Sequence, residues 1–392
     1  MIKSIIYDQF QCIADACPLT CCRGWAIRAD GGIYEKWKSH EETSYLCEQV
    51  IYKKEDGESI YHMKTDFGKT CVMLDEKGLC EIVKRHGDEY LSDTCASFPR
   101  KHNQITILCE DKDVDEPQEK IVMDEYSMSG ACPAVLKLIR NSKDVYIVDI
   151  SEKCRENHDF PMEYQVRNAV IKIMQNREFS LTERFMLSFS LLHECLACEW
   201  EDDVYDCIAV YQDMENLLDV VSVWQNMRYD AEEAFVEICE TWLDVTVFYK
   251  EEDMYRPYLF ELAGFVEIAD ADKGMIDKLV SDWKTFKEDW KKYDMYWENV
   301  LVSEIFADCI SEDLAYLMEA FQSIMMEYVM TRITVFMQQE MVKKQVSEEE
   351  LHNYTSLFIR MIGHNTDGMA EYWEENFEDS ILEKEYFYLL LQ

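Results

Sequence analysis

Two textures follow one another along this chain. From about residue 160 onward, apolar positions recur at the spacing of a helical face. Val166, Ala169, Val170, Ile173 and Met174 fall at i, i+3, i+4, i+7 and i+8, the stripe that an amphipathic helix turns toward a core. Ser180-Leu-Thr-Glu183 has the form of a capping box, in which hydroxyl and carboxylate each satisfy an N–H left open at the helix start. The run behind it predicts helix to about Trp200. The same periodicity predicts helices over Val204–Asn226, Ala231–Tyr249, Tyr258–Asp270, Lys273–Tyr293, Glu298–Cys309, Asp313–Met341 and Glu348–Ile362, with a last one near Met369–Asn376. Pro257 is the one proline after Pro161, so little interrupts long helices packed as a bundle.

Residues 1–135 read differently. Ile2–Ile6, Ile60–Lys64, Cys71–Leu74, Ile105–Cys109 and Ile121–Met123 are short apolar or β-branched runs separated by Gly, Asp and Lys, the pattern of short strands. Short helices are predicted at Gly32–Lys38, Tyr45–Lys53 and Cys80–His86, the last ended by Gly87. The expected fold is mostly α: an irregular cysteine-rich α+β domain with short strands at residues 1–155, followed by an all-α helical bundle at 156–392. The boundary is drawn from the change of texture, since no internal repeat or low-complexity linker marks it.

Composition narrows the function classes. With 48% hydrophobic residues among 392, the chain can bury a sizeable core. Its 39 Lys+Arg against 79 Asp+Glu give a net charge of −40, which repels phosphate backbones and anionic lipid. Nucleic acid and membranes are therefore not expected as partners, and basic protein surfaces are. The acidity also serves simple solubility. No run of eighteen apolar residues suggests a membrane span. Met1–Asp8 is too short and polar for a secretory signal, so a cytoplasmic location is expected.

Cysteine usage changes the picture most. Of 16 cysteines, ten precede residue 133. Cys12, Cys17, Cys21 and Cys22 crowd the start, and Cys71, Cys80, Cys95 and Cys132 follow. In a reducing cytosol structural disulfides are rare, and these eight read as the ligand pool of a metal or iron–sulfur site. Spacing leaves the choice open. A zinc ribbon needs two Cys-x2-Cys knuckles, and the first half has none. An adenosylmethionine-radical site needs Cys-x3-Cys-x2-Cys, and Gly24 stands where the third thiol belongs. Adjacent Cys21 and Cys22 do not easily share one metal atom. Cys195-x2-Cys198 lies in a helical stripe and reads as core packing with one exposed thiol. Cys47, Cys109, Cys154, Cys207, Cys239 and Cys309 read as single buried thiols.

The phrase Phe10-Gln-Cys12-x4-Cys17-x2-Thr20-Cys21-Cys22-x-Gly24-Trp25 resembles the opening of the flagellin lysine N-methylase family. Cys71-Val-Met-Leu-Asp-x3-Gly78-Leu-Cys80-x-Ile82, Gly87-Asp-Glu-Tyr90-Leu-Ser-Asp93-Thr-Cys95-x-Ser-Phe98-Pro99-Arg100 and Met128-Ser-x2-Cys132-Pro133 continue the resemblance. So do Tyr296-Trp-Glu-Asn299-x5-Ile305-Phe306 and Ile359-Arg360-x3-His364-Asn365 in the helical half. The first half is also similar to small zinc- or iron-chelating Cys-x3-Cys-Cys domains. The resemblance implies methyl transfer from S-adenosylmethionine to lysine ε-amines of flagellin, with a 4Fe-4S cluster (zinc as the alternative). Arg28-Ala-Asp30 and Gly130-Ala131 depart from the family pattern, the latter from the usual Leu-Ser.

Such chemistry makes demands. Only a neutral amine attacks a methyl sulfonium, and bringing a lysine of pKa about 10.4 to that state at neutral pH costs roughly 4–5 kcal/mol. A site must desolvate the amine or offer a base. Candidates are Asp30, Tyr34, Tyr90 and Asp93 near the thiol phrases, with His102, and His364 from the helical half. Asp93 could equally cap a turn, and His364 could be a hydrogen-bonded partner at a helix end. Trp25 and Arg100 flank thiols and are the cofactor-binding candidates: a Trp can cover a sulfonium, or serve as an apolar lid. The chain lacks Gly-x-Gly-x-x-Gly, so no Rossmann domain is expected. The cluster is expected to anchor the site, through an iron left open to the methionine amino and carboxylate groups, and not to start a radical. The alternative is a non-catalytic iron–sulfur or zinc protein, acting in electron transfer or as an adaptor.

Overall fold

The computed structural model describes all residues except 56–57, 110–118, 143–146, 150–159, 311–312 and 378. It is mostly α, with short strands gathered in the first 150 residues. The strands are β1 (Ile2–Ser4), β2 (Arg28–Ala29), β3 (Val50–Glu55), β4 (Glu58–Met63), β5 (Arg100–Cys109), β6 (Glu119–Met128) and β7 (Ile147–Asp149). They form two sheets, β5-β6-β1-β7 and β2-β4-β3. β5 and β6 pair antiparallel from Arg100↔Met128 to Cys109↔Glu119. β1 runs parallel to β6 on its other side.

In the helical half, Leu314–Val342 is buried on every face from Leu317 to Met337 apart from Glu319. A helix that is apolar all round belongs at the centre. Leu181–Leu196, Ala231–Val247, Arg256–Asp270, Asp294–Asp308 and Glu348–Phe358 pack against it. This core does not stop at the helices. It takes in Ile6, Phe10, Leu19, Met128, Ala131, Val135 and Leu136 from the first third. Buried ion pairs cross the same ground: Arg167 donates to both carboxylate oxygens of Glu125 on β6, at 2.8 and 2.6 Å. Such pairs fix register more than they add stability. A second, small core forms around Trp37, with Ile27, Ile33, Leu46, Met63, Met73 and Ile82.

Several elements differ from the sequence expectation. Tyr45–Lys53 is not one helix: a 3₁₀ turn, Ser44–Gln49, leads into β3, where Val50, Ile51 and Tyr52 suit strand pairing. Cys71–Leu74 makes turns and isolated bridges instead of a strand. Val204–Asn226 is two helices, Glu201–Val210 and Met214–Gln225, because Asp213 caps the second through the N–H groups of Glu215 and Asn216. Pro133–Asn141, Asp93–Ser97 and Lys384–Leu390 are helices the pattern did not give. Ile359–Gly363 is a π turn that continues Glu348–Phe358. No described helix is long and apolar enough to cross a membrane.

Candidate functional site

The thiols fall into two neighbouring groups. Cys22, Cys71, Cys80 and Cys95 line one small cavity with Trp37, Met63, Met73 and Leu91. Short elements deliver them. The Cys71 N–H bonds the Cys22 carbonyl at 2.8 Å, Cys80 caps the helix Glu81–His86, and Cys95 sits in the helix Asp93–Ser97, which Ser92 caps. Burial pushes the Cys71 thiol up to about 11 and that of Cys95 to about 12. Cys21 lies at the edge of this group, hydrogen-bonded to Cys22; that bond favours the Cys21 thiolate and keeps the proton on Cys22. Cys12, Cys17 and Cys132 form the second group with Cys21, within electrostatic reach of one another through Cys17.

Arg360 joins the second group to the helical core. It stands in the π turn, is 3% exposed, and donates to the carbonyls of Ala131 (2.8 Å), Thr20 (3.0 Å) and Leu19 (2.8 Å). Those three carbonyls flank Cys132, Cys21 and Cys17, which the guanidinium faces. A π turn shifts the register of a helix end and is frequent at functional sites. Here it turns Arg360 toward the thiols and sets His364 on Trp25, the rings stacked at 4.5 Å. Phe98 also meets Trp25 edge-on, and the Trp25 indole N–H bonds the Cys21 carbonyl at 2.8 Å. Gly24 has φ +85°, and a Cβ there would lie 2.8 Å from both Met254 Sδ and Tyr255 Oη. Tyr255 is fully buried and its hydroxyl has no hydrogen-bond partner among the described residues.

Behind His364 lies a buried acidic cluster. Glu304 and Glu327 are 1% and 2% exposed, on the helices Asp294–Asp308 and Leu314–Val342. Glu304 accepts the Gly130 N–H at 2.9 Å. The Glu327 carboxylate lies against Gly363, where a Cβ would collide with it. Lys101, on β5, pairs with Asp308 and lies within electrostatic reach of both glutamates and of His364. Burial, then the Asp308 charge, raises Glu304 to about 8; burial and Glu304 raise Glu327 well above the carboxylate range. Burial, with Lys101 and Arg360, drives His364 down to about 3, so it is neutral. Asp308 and Lys101 keep 31% and 27% of their side chains open, so the cluster reaches solvent there.

The other residues singled out from sequence have visible employment. Asp30 caps the helix Gly31–Ser39 through Ile33 N–H (2.8 Å) and accepts from Asp93 N–H (3.0 Å). Burial opposes these bonds, yet they hold Asp30 below its usual value. Asp93 starts its short helix. Tyr34 stacks on Tyr61 at 4.1 Å. The Tyr90 carbonyl accepts from Trp37, and Lys36 lies 4.4 Å over the Tyr90 ring. Arg100 donates to the Phe10 carbonyl and covers the Phe10 ring. His102 pairs with Asp124 at the surface. Of the catalytic and cofactor candidates, then, only Trp25 and His364 meet beside the second thiol group. Cys198 and Cys207 are half-buried with their sulfurs 3.7 Å apart, so Cys207 is not a single buried thiol; Cys47 is half-buried too. Cys154 and the Cys109 side chain lie outside the described residues.

Glu304, Glu327, Asp308, Lys101, Tyr255 and the role of Arg360 escaped the sequence reading. A visible signal was the lone acid in an apolar run, as in Met325-Met326-Glu327-Tyr328-Val329, because a fully buried carboxylate is rare.

Arg360 is a buried cation with carbonyls, not a carboxylate, as its partners, and an uncompensated buried charge is expensive. Thiolates facing it, or an anionic centre that they held, would answer it. The orphaned Tyr255 hydroxyl points to the same ground, and the four-thiol cavity offers soft donors. Among the described residues, no three His, Cys, Asp or Glu donors are grouped closely enough to hold a single metal ion.

The family model of the FliB lysine N-methylase C-terminal domain matches residues 167–390, more than half of the chain. The chain belongs to the FliB lysine N-methylase family. The matched stretch of this FliB-family chain holds Glu304, Glu327, Arg360 and His364; the cysteine loops precede it. The chain is 27% identical over 183 residues to the lysine-N-methylase of Salmonella typhimurium, covering 45% of this chain and 42% of that protein. It is 28% identical over 183 residues to that of Salmonella choleraesuis, with the same coverage. The flagellar biosynthetic protein FliU of Salmonella muenchen is 30% identical over 140 residues, 35% of this chain and 74% of FliU. The chain thus matches about two fifths of the length of the two lysine-N-methylases. No solved structure matches.

Proposed function

We propose that this protein is an S-adenosylmethionine-dependent methyltransferase acting on lysine ε-amines of flagellin. The observation that carries the reading is membership of the FliB lysine N-methylase family through the stretch that supplies Arg360, His364 and the buried glutamates. A relative named for flagellar biosynthesis supports flagellin as the substrate. The net charge of −40 favours a basic, lysine-bearing partner.

The reading includes an iron–sulfur cluster held by Cys22, Cys71, Cys80 and Cys95, with Cys21 beside them. Four sulfurs that line one cavity without closing on a single ion suit a polynuclear centre better than one zinc, whose bonds of about 2.3 Å draw its ligands together. Held by all four thiolates, such a cluster would supply a fixed anionic centre; were only three of them ligands, the remaining iron would be open to the amino and carboxylate groups of the methyl donor. The chain's own residues do the rest. Arg360 fixes the Cys17–Cys21 loop and Cys132 against the helices. Trp25 and His364 form an aromatic wall suited to a sulfonium. Neutral His364 adds no repelling charge there.

The test is incubation of anaerobically purified protein with labelled S-adenosylmethionine and flagellin. Label on lysine, with no 5′-deoxyadenosine formed, is the expected result, and the protein should absorb near 400 nm. A protein with that colour that leaves lysine unlabelled would be an electron carrier or adaptor instead.

A further inference from the structure

Cys195-x2-Cys198 gains a third thiol when the chain folds. Cys195 stands in the last turn of the helix Leu181–Leu196. Cys198 follows in the turn beyond it, its N–H on the Cys195 carbonyl at 3.2 Å. Cys207 comes from the next helix, Glu201–Val210. Val204, Cys207 and Ile208 fall at i, i+3 and i+4, the spacing of one helical face, and Val204 and Ile208 are the buried residues of that helix. Cys207 thus lies on its packed side, and its sulfur meets that of Cys198 at 3.7 Å. Both thiols are free and half-buried. Ala197, Glu199 and Trp200 beside Cys198 are exposed, Trp200 by 71%, so a small reagent can approach from the turn. Cys195 is different, with no exposure at all.

Sulfurs already in contact have only a short closure left, to a bond of about 2.05 Å. We infer that Cys198 and Cys207 are a reversible redox pair, closed to a disulfide by low-molecular-weight disulfides such as that of glutathione, and that the closed pair staples the helix Glu201–Val210 to the end of Leu181–Leu196. The inference stands apart from the methyl-transfer reading and uses none of the eight thiols of the first third. A disulfide that opens and closes with the surrounding thiol pool is of the transient, sensing kind and not a structural cross-link.

The exchange balances. Cys198 gives up the proton it now directs at the Glu194 carbonyl, 3.3 Å away, and its sulfur attacks one sulfur of the small disulfide. That S–S bond breaks, and the thiolate it releases takes up a proton. The Cys207 sulfur then attacks the Cys198 sulfur of the mixed disulfide. The protein S–S bond forms, and the second small thiol leaves with the Cys207 proton. Two protein thiols are oxidised, and one small disulfide is reduced to two thiols. Cys198 takes the first attack because burial, then the bond to Cys198, raises Cys207 to about 11 and keeps it protonated. Burial raises Cys195 as well, and it stays a thiol.

The staple has something to hold. The helix Glu201–Val210 rests on two buried side chains, and Glu201, Asp202, Asp203 and Asp206 face solvent. Elements with little buried surface open first, and a cross-link removes conformations from the opened state. Closing the pair therefore stiffens this acidic face and leaves its charge unchanged.

The test equilibrates the full-length, anaerobically purified protein in glutathione buffers from reduced to oxidised. Free thiols are then alkylated, and unreduced peptides are read by mass spectrometry. A Cys198–Cys207 disulfide should rise with the oxidised fraction and reverse with dithiothreitol, while Cys195 is alkylated only after unfolding. Cys207→Ser should instead trap glutathione on Cys198. Amide hydrogen exchange across 201–210 should slow by about tenfold or more in the closed form, with no change across Glu348–Phe358. The mapping and the exchange both use wild type, so a serine variant that fails to fold leaves the test intact. Wild type that keeps Cys198 and Cys207 as thiols or as separate glutathione adducts in every buffer overturns the inference. So does a disulfide that joins Cys195 instead, or a Cys198–Cys207 bond that leaves exchange across 201–210 unchanged.

Discussion

Arg360 and Gly363, three residues apart, show how much one π turn carries. The Arg360 guanidinium answers three carbonyls on two cysteine loops, a planar fork that a lysine cannot reproduce. Arg360→Met should lower unfolding stability by about 3 kcal/mol, from stranded buried carbonyls, and Arg360→Lys should recover less than half of it in urea melts. Gly363 answers a steric demand instead. Gly363→Ala should cost about 1–3 kcal/mol by crowding, and in a Glu327→Ala background the same change should be close to neutral. A double-mutant cycle in which the two losses simply add would show that the crowding lies elsewhere.

At the level of elements, the paired helices Asp294–Asp308 and Leu314–Val342 bring Glu304 and Glu327 together, and that pairing has a sign in pH. Glu304 is raised from 4.5 to about 8 by burial and by Asp308. Its proton stabilises the fold below the carboxylate's unfolded value, and that stability is lost as pH rises from about 4.5 through 8. Glu304→Gln should therefore flatten the fall in stability between pH 5 and 8, by about 1–3 kcal/mol, as followed by denaturant melts at each pH. A variant whose melts fall with pH as steeply as wild type would mean that Glu304 is ionised in the fold. These helices were legible because their apolar residues repeat at helical spacing. The acids on them were not legible as a pair, because residues more than twenty apart meet only when two helices pack. The break at Tyr211–Asp213 was hidden for another reason: apolar periodicity runs on through it, and a single Asp cap decides the matter. In the first third, periodicity had little to work with. β3 was read as helix because only pairing with β4 reveals it, whereas the cysteine phrases stood out by density alone, and the grouping of Cys22 with Cys71, Cys80 and Cys95 needed the folded loops.

Across the whole molecule, two cores of unequal size share the work. The large one unites the helices with Phe10, Leu19, Met128 and Leu136. The small one has nine buried apolar residues, Cys71 among them, and the other three cavity thiols pack at its margin. A core that small rarely sustains a fold without a cross-link or a metal, whereas binding to the folded form alone adds its free energy to stability. If the proposed cluster is held there, removing it anaerobically with a chelator should therefore loosen the region around Trp37 and leave the helices intact. Arg360 sharpens the expectation, because its bonds to Leu19, Thr20 and Ala131 tie the first thiol loop to the large core. Limited trypsin digestion of stripped protein should cut first between Arg28 and Lys84, while residues 10–22 and the helical half survive. The loaded protein should resist at the same sites by at least tenfold in rate. Equal cleavage of loaded and stripped protein would mean that the small core stands by its own packing, and the four thiols in and around it would then owe their places to the fold and not to a ligand they hold in common.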